Sequence, residues 1–82
     1  MLWVYAIYNQ LNDKIYIGQT KNLDKRLVEH NQKRGKHYTA KFEGEWKLVY
    51  KESVSTRLEA IKRERQLKSQ KGRESVKSNI PG

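Results

Sequence analysis

Five side chains carry most of the chemical capability of this sequence: Tyr5, Tyr16, Arg26, His30 and Glu64. A phenol or an imidazole beside a water molecule can orient it or take its proton. A guanidinium offers a planar fork of donors suited to an oxyanion. A carboxylate on an otherwise apolar helix face is costly unless it is paired or holds a metal ion. Each residue also has a plain structural reading. Two tyrosines can pack together against a helix. Arg26 can lay its stem over the core with its head in water, and Glu64 can be half of an ion pair, with Arg26 as a candidate mate.

The elements that must position these residues follow from patterning. Ile15 and Ile17 alternate with Tyr16 and Gly18, which is strand periodicity, and Gly18 permits a close approach that a side chain would block. Lys14 to Gln19 is the returning arm of a hairpin. The other arm, Leu2 to Tyr8, is aromatic, β-branched and apolar on both faces, so it reads as a central strand. Asn9-Gln10-Leu11-Asn12-Asp13 is the turn between them, and Tyr5 and Tyr16 fall on one face as cross-strand neighbours. A helix follows from about Leu23 to about Lys33, with Asn22 as N-cap, Asp24 in the first turn and Gly35 as terminator. On its wheel Arg26 and His30 lie beside Leu23 and Leu27, while Lys25 and Glu29 take the outer face.

Trp46, Leu48 and Tyr50 alternate with Lys47, Val49 and Lys51 in a third strand. Thr56 and Glu59 form the capping box of a second helix that runs to about Ser69. Leu58, Ala60, Ile61 and Leu67 define its apolar arc, with Glu64 in the middle and Glu59, Lys62, Arg63 and Gln66 opposite. Lys71-Gly72-Arg73 breaks the pattern, Glu74 to Asn79 forms a short last helix, and Ile80-Pro81-Gly82 is a tail. The fold class is therefore α/β, a three-stranded, mostly antiparallel sheet flanked by helices. Residues 1–82 form a single domain with its core at about 2–69 and a short C-terminal helix or tail at 70–82.

The formal charge is +9, from 18 Lys and Arg against 9 Asp and Glu, and points to a polyanionic partner. One basic group is Lys33, Arg34, Lys36, His37 and Lys41; another is Lys62, Arg63, Arg65, Lys68, Lys71 and Arg73. The loop from Lys36 to Gly44 interleaves these charges with Tyr38 and Phe42, which suits phosphate contact with base stacking, or else an ordinary polar loop pinned by Phe42. Lys33, Arg34, Lys36, His37, Tyr38, Lys41, Arg63 and Lys68 are the candidate nucleic-acid contacts. Charge alone leaves DNA, RNA and acidic membrane surfaces open. The chain has no cysteine, which removes disulfides and thiolate metal sites and fits a reducing, cytoplasmic setting. No apolar run approaches the ~20 residues of a membrane span, and Met1 to Tyr5 has no basic leader.

Val4-Tyr5, then Tyr16-Ile17-Gly18, then Arg26-Leu27 and Glu29-His30-Asn31 resemble the GIY-YIG nuclease family, in particular its small stand-alone bacterial members. The resemblance runs from about Trp3 to about Lys68 and implies a metal-dependent endonuclease acting on DNA. It implies that Tyr16, and with it Tyr5, acts at the attacking water as base or positioning group. Arg26 would stabilise charge on the phosphate, His30 would relay a proton, and Glu64 would hold the metal, Mg²⁺ or Mn²⁺. With two aspartates in the chain, one in a turn and one at a helix start, a one-metal site fits better than a two-metal one. Trp3 stands where the family name has glycine, and Val76 stands where excision-repair members carry an asparagine, with Asn79 a loose substitute. The expected partner is DNA, with RNA also open, and neither a membrane nor a small-molecule cofactor is expected. A second reading is a nucleic-acid-binding module with the same fold and weak or lost cleavage.

Overall fold

Apolar residues on both faces make Leu2–Asn9 the natural centre of a sheet, and it takes that place in a computed structural model of the chain, described over residues 2–32 and 43–80. This strand, β1, pairs antiparallel on one side with β2 (Lys14–Thr20) and on the other with β3 (Trp46–Val54), giving the order β2-β1-β3. Val4, Tyr5, Ala6 and Ile7 are all at most 1% exposed, because the sheet is covered on both faces.

Three helices supply the cover: α1 (Leu23–Asn31), α2 (Arg57–Lys68) and α3 (Gln70–Lys77). Val4, Ala6, Ile17 and Val54 form a core with Ala60 and Leu67 of α2 and Val76 of α3. On the opposite face Tyr5, Ile7 and Trp46 pack with Tyr16, Leu23, Leu27 and Leu48. The period of two along β1 and β2 thus sorts the sheet into an aliphatic layer and an aromatic layer.

Local signals set the helix ends. Asn22 caps α1 by accepting from the Lys25 amide at 3.1 Å, and Thr56 caps α2 by accepting from the Glu59 amide at 3.2 Å. Among the described residues α1 closes at Gln32, short of the expected Lys33; Gly35 lies outside those residues. Asn31 then donates to the Trp46 carbonyl and accepts from the Trp46 amide, tying the end of α1, and with it His30, to the start of β3.

Two expectations for the C-terminal half need correction. The buried side of α2 is centred on Ala60 and Leu67, whereas Leu58 is 62% and Ile61 36% exposed. Small Ala60 lets the helix approach the sheet closely, and Arg63 leans toward β3 to meet Glu52 at 2.7 Å, which turns Leu58 and Ile61 outward. The break at Lys71-Gly72-Arg73 is also absent, since α3 begins at Gln70, capped by Ser69, the residue that also ends α2. Gly72 belongs in α3 because a Cβ there would lie 2.1 Å from the Gln66 carbonyl oxygen and 2.5 Å from Leu67 Cα. The two helices fold back tightly at that point, and Val76 reaches the core as a result.

Candidate active site

The centre of the aromatic face is a pair of tyrosines folded over a glycine. Tyr5 pairs with Gly18 across the β1–β2 ladder, and Tyr16 pairs with Ile7, so the two rings are diagonal neighbours on one face. Their centroids are 6.3 Å apart at 45°. A Cβ on Gly18 would lie 2.9 Å from Tyr16 Cε2 and 3.0 Å from the Tyr5 hydroxyl. The glycine is needed here for space, because both rings occupy the volume its side chain would fill.

His30 completes the cluster from α1. Its ring centroid is 5.1 Å from Tyr16 and 5.9 Å from Tyr5. Tyr5 Oη and His30 Nε2 share a buried hydrogen bond of 2.8 Å, and the imidazole tautomer decides which side donates. Tyr5 and His30 are each 1% exposed, whereas Tyr16 is half-buried. The cluster therefore has depth, with Tyr5 and His30 beneath and Tyr16 nearer the surface.

Burial raises the pKa of both phenols. The Tyr5 hydroxyl is pushed far above the ordinary phenol range, first by desolvation, then by neighbouring Tyr16, with Arg26 opposing and Glu64 adding to the rise. Tyr16 is raised by desolvation and by Glu64, again with Arg26 opposing. The field of one cation from α1 and one carboxylate from α2 thus reaches both tyrosines, although α1 and α2 cover opposite faces of the sheet.

Arg26 lies about one-third exposed, with Nε 3.8 Å from the Glu29 carboxylate, too long for a hydrogen bond. It lines a cleft of about 530 Å³ together with Gln19, Thr20, Lys21, Lys25 and Arg57. Two buried polar atoms of that cleft, Arg26 Nε and Gln19 Oε1, have no hydrogen-bond partner among the described residues. A buried donor without a partner is a prepared contact for an anionic ligand. Arg26 Nε is such a donor, whereas Gln19 Oε1 is an acceptor and suits a bound water or hydroxyl rather than the anion itself.

Glu64 sits one turn after Ala60 and three residues before Leu67, on the shoulder of the buried face of α2 toward β2. Its side chain is 20% exposed, and its ion pair is with Lys68 at 4.0 Å rather than with Arg26. No group of three or more His, Asp or Glu residues able to hold a metal forms among the described residues. One half-buried carboxylate with a distant, half-exposed lysine fits a hard ion that keeps most of its own waters, and does not fit an all-protein cage.

The candidate nucleic-acid contacts divide. Lys33, Arg34, Lys36, His37, Tyr38 and Lys41 lie outside the described residues. Arg63 is engaged by Glu52, Gln66 and Tyr50, on the far side of α2 from β2. Lys68 lies beside Glu64 on the β2 side. No described helix is long and apolar enough to cross a membrane.

This arrangement has counterparts among known proteins. A UPF0213 protein of Staphylococcus epidermidis is 34% identical over 76 residues, covering 92% of this chain and 89% of its own. Another, from Staphylococcus saprophyticus, is 40% identical over 55 residues, covering 67% of this chain and 66% of its own. A solution NMR structure of a UPF0213 protein from Bacillus halodurans superposes with a TM-score of 0.56 and 27% identity, over 100% of this chain and 88% of that one. The family model for the GIY-YIG catalytic domain matches residues 1–79. With both tyrosines packed over Gly18 on one face of β1 and β2, and the family model matching nearly its whole length, the chain belongs to the GIY-YIG catalytic-domain family.

Proposed function

We propose that the protein is a metal-dependent endonuclease that hydrolyses phosphodiester bonds in DNA, with Glu64 as the sole protein ligand of one Mg²⁺ or Mn²⁺. The observation that carries this reading is convergence. Arg26 and Glu64 come from helices on opposite faces of the sheet, yet both act electrostatically on Tyr5 and Tyr16 at the β2 edge. A structural ion pair between Arg26 and Glu64 would give the acid another purpose, but each is paired with a residue of its own helix.

The residues divide the work by depth. Tyr16, half-buried, holds the attacking water by a hydrogen bond. Its raised pKa keeps the phenol protonated at neutral pH, which favours positioning over proton removal. Tyr5 and His30 lie below and fix Tyr16 from behind through ring contact and their shared hydrogen bond, and His30 gives the pair a group able to pass a proton on. Arg26 binds the phosphate, whose negative charge grows in the transition state, from the cleft it lines. A hard divalent ion held at Glu64 supplies Lewis-acid charge to the phosphate oxygens.

The test is incubation with branched, flapped, nicked and single-stranded DNA, with and without Mg²⁺. The expected result is metal-dependent cleavage of at least one substrate that disappears in Arg26→Ala. Binding of all substrates with no cleavage under any metal would leave a nucleic-acid-binding module instead.

A further inference from the structure

Beyond the cleft that holds Arg26, a second cleft of about 550 Å³ opens at the other end of β2. It is lined by Lys14, Lys68, Arg73 and Lys77, with Asp13 and Glu74 as the acids. Its cations come from three elements: the start of β2, the end of α2, and α3. Lys68 and Arg73 belong to one basic group in the sequence, but Lys14 and Lys77 do not. Lys14 is far from the others in sequence, and Arg73 sits in a segment that reads as a helix break.

The two clefts are joined by one face of α2. Arg57, Ile61, Glu64 and Lys68 fall at successive turns, so they form a single stripe. Arg57 lines the first cleft, and Lys68 lines the second while pairing with Glu64. The helix runs antiparallel to β2, since Arg57 shares a cleft with Gln19 and Thr20 and Lys68 shares one with Lys14 and Ile15. From Arg57 to Lys68 the stripe rises about 16 Å. Successive phosphates of one strand lie roughly twice the ~3.4 Å axial rise apart, so that length matches about two to three backbone steps. The described part of the protein is 32 Å in its longest dimension, so the track occupies half of it.

We infer that this stripe and the two clefts it joins form one binding track for the sugar-phosphate backbone of a single nucleic-acid strand, with Lys14, Arg73 and Lys77 gripping phosphates a few nucleotides from the one at Arg26. The inference rests on the nuclease reading for its polarity: the reacting phosphate lies between Arg26 and Glu64, and the second cleft holds the flanking strand. Glu64 is the acid of the stripe that joins the two clefts, where a metal would remove its repulsion of the strand. Ile61, part-exposed between Arg57 and Glu64, offers an apolar step to a base or sugar. A flat anionic lipid surface fits less well, because the charges follow a line along one strand edge and acids interrupt the second cleft.

The test uses fluorescein-labelled oligothymidylates of 2 and 12 nucleotides, bound by the full chain in EDTA. The 12-mer should bind at least tenfold more tightly than the 2-mer. Arg73→Gln/Lys77→Gln, made on exposed positions of α3, should weaken the 12-mer about tenfold. It should make the slope of log affinity against log salt shallower by about 1.4, the value for two lost phosphate contacts, and leave the 2-mer within twofold. Lys14→Gln, on a different element, should repeat the length-selective loss and guards against a folding defect in α3. Unchanged 12-mer binding and slope in both variants would overturn the track. So would equal losses on both lengths, or capture by phosphatidylserine vesicles that competes with the 12-mer. None of these readouts depends on cleavage, so they leave the nuclease reading standing, whereas binding of every substrate with no cleavage under any metal would sink that reading and leave the track intact.

Discussion

Gly18→Ala perturbs the site by one methyl group, and the structure fixes the size of the effect. The new Cβ would stand 2.9 Å from Tyr16 Cε2, 3.0 Å from Tyr5 Oη and 3.2 Å from Tyr5 Cζ. Tyr16 is half-buried and can swing toward solvent. Tyr5 cannot, because it is 1% exposed, packed with Ile7 and Trp46, and held at 2.8 Å by His30. Reaching an ordinary contact moves the Tyr5 ring by roughly 0.4 Å, which stretches the His30 bond. Overpacking a closed core costs about 1–3 kcal/mol, and weakening a buried hydrogen bond adds about 1 kcal/mol. Replacing glycine in a strand returns roughly 0.5–1 kcal/mol of backbone entropy, so the loss wins at a net of about 2 kcal/mol. For a domain of this size that lowers Tm by about 8–16 °C, measured by circular dichroism. In a Tyr5→Phe background the 3.0 Å contact with the hydroxyl disappears, and the same alanine should cost about 1 kcal/mol less. A variant that melts within 2 °C of the parent, or a cycle with no coupling, would refute the claim that the tyrosines need that space.

The other predictions are shorter. Burial holds the Tyr5 phenol far above its ordinary pKa of about 10, so its contribution to stability is full below about pH 10 and is lost as pH rises beyond it; the Tm gap between parent and Tyr5→Phe should narrow from pH 10 upward, and a constant gap would contradict the buried phenol. Arg26→Lys should keep the fold and most DNA binding while lowering cleavage by ~10²-fold, since lysine keeps the charge and loses the fork; single-turnover rates equal to the parent's would make Arg26 a packing residue.

Much of the fold was readable in the sequence because its signals were local. The β1–β2 hairpin, the Asn22 and Thr56 caps and the doubly buried β1 each follow from a few adjacent residues. So did the shared face of Tyr5 and Tyr16, which strand alternation alone dictates. What could not be read depended on distant contacts. The rotation of α2 is tied to Arg63 reaching Glu52 and Val76 arriving from α3, so of the arc Leu58, Ala60, Ile61 and Leu67 only Ala60 and Leu67 are buried. Glu64, expected in the middle of the apolar arc, moves to the shoulder of the buried face and stays half-buried because Ala60 and Leu67 bracket it. Gly72 resembled a helix breaker, since nothing in the adjacent residues announces that Gln66 would press against it. Lys14, Arg73 and Lys77 were invisible as a group for the same reason.

Glu64→Gln tests the central claim most directly, read as metal-dependent cleavage of a DNA substrate beside DNA binding and a thermal melt in EDTA. The carboxylate is 20% exposed and its nearest cation, Lys68, is 4.0 Å away and half-exposed, so the amide costs little stability. The account predicts cleavage reduced by at least ~100-fold, DNA binding unchanged or slightly tighter, and a melting temperature equal to or above the parent's. A variant that melts clearly lower and still cuts DNA at the parent rate would make Glu64 a structural residue and place the metal elsewhere.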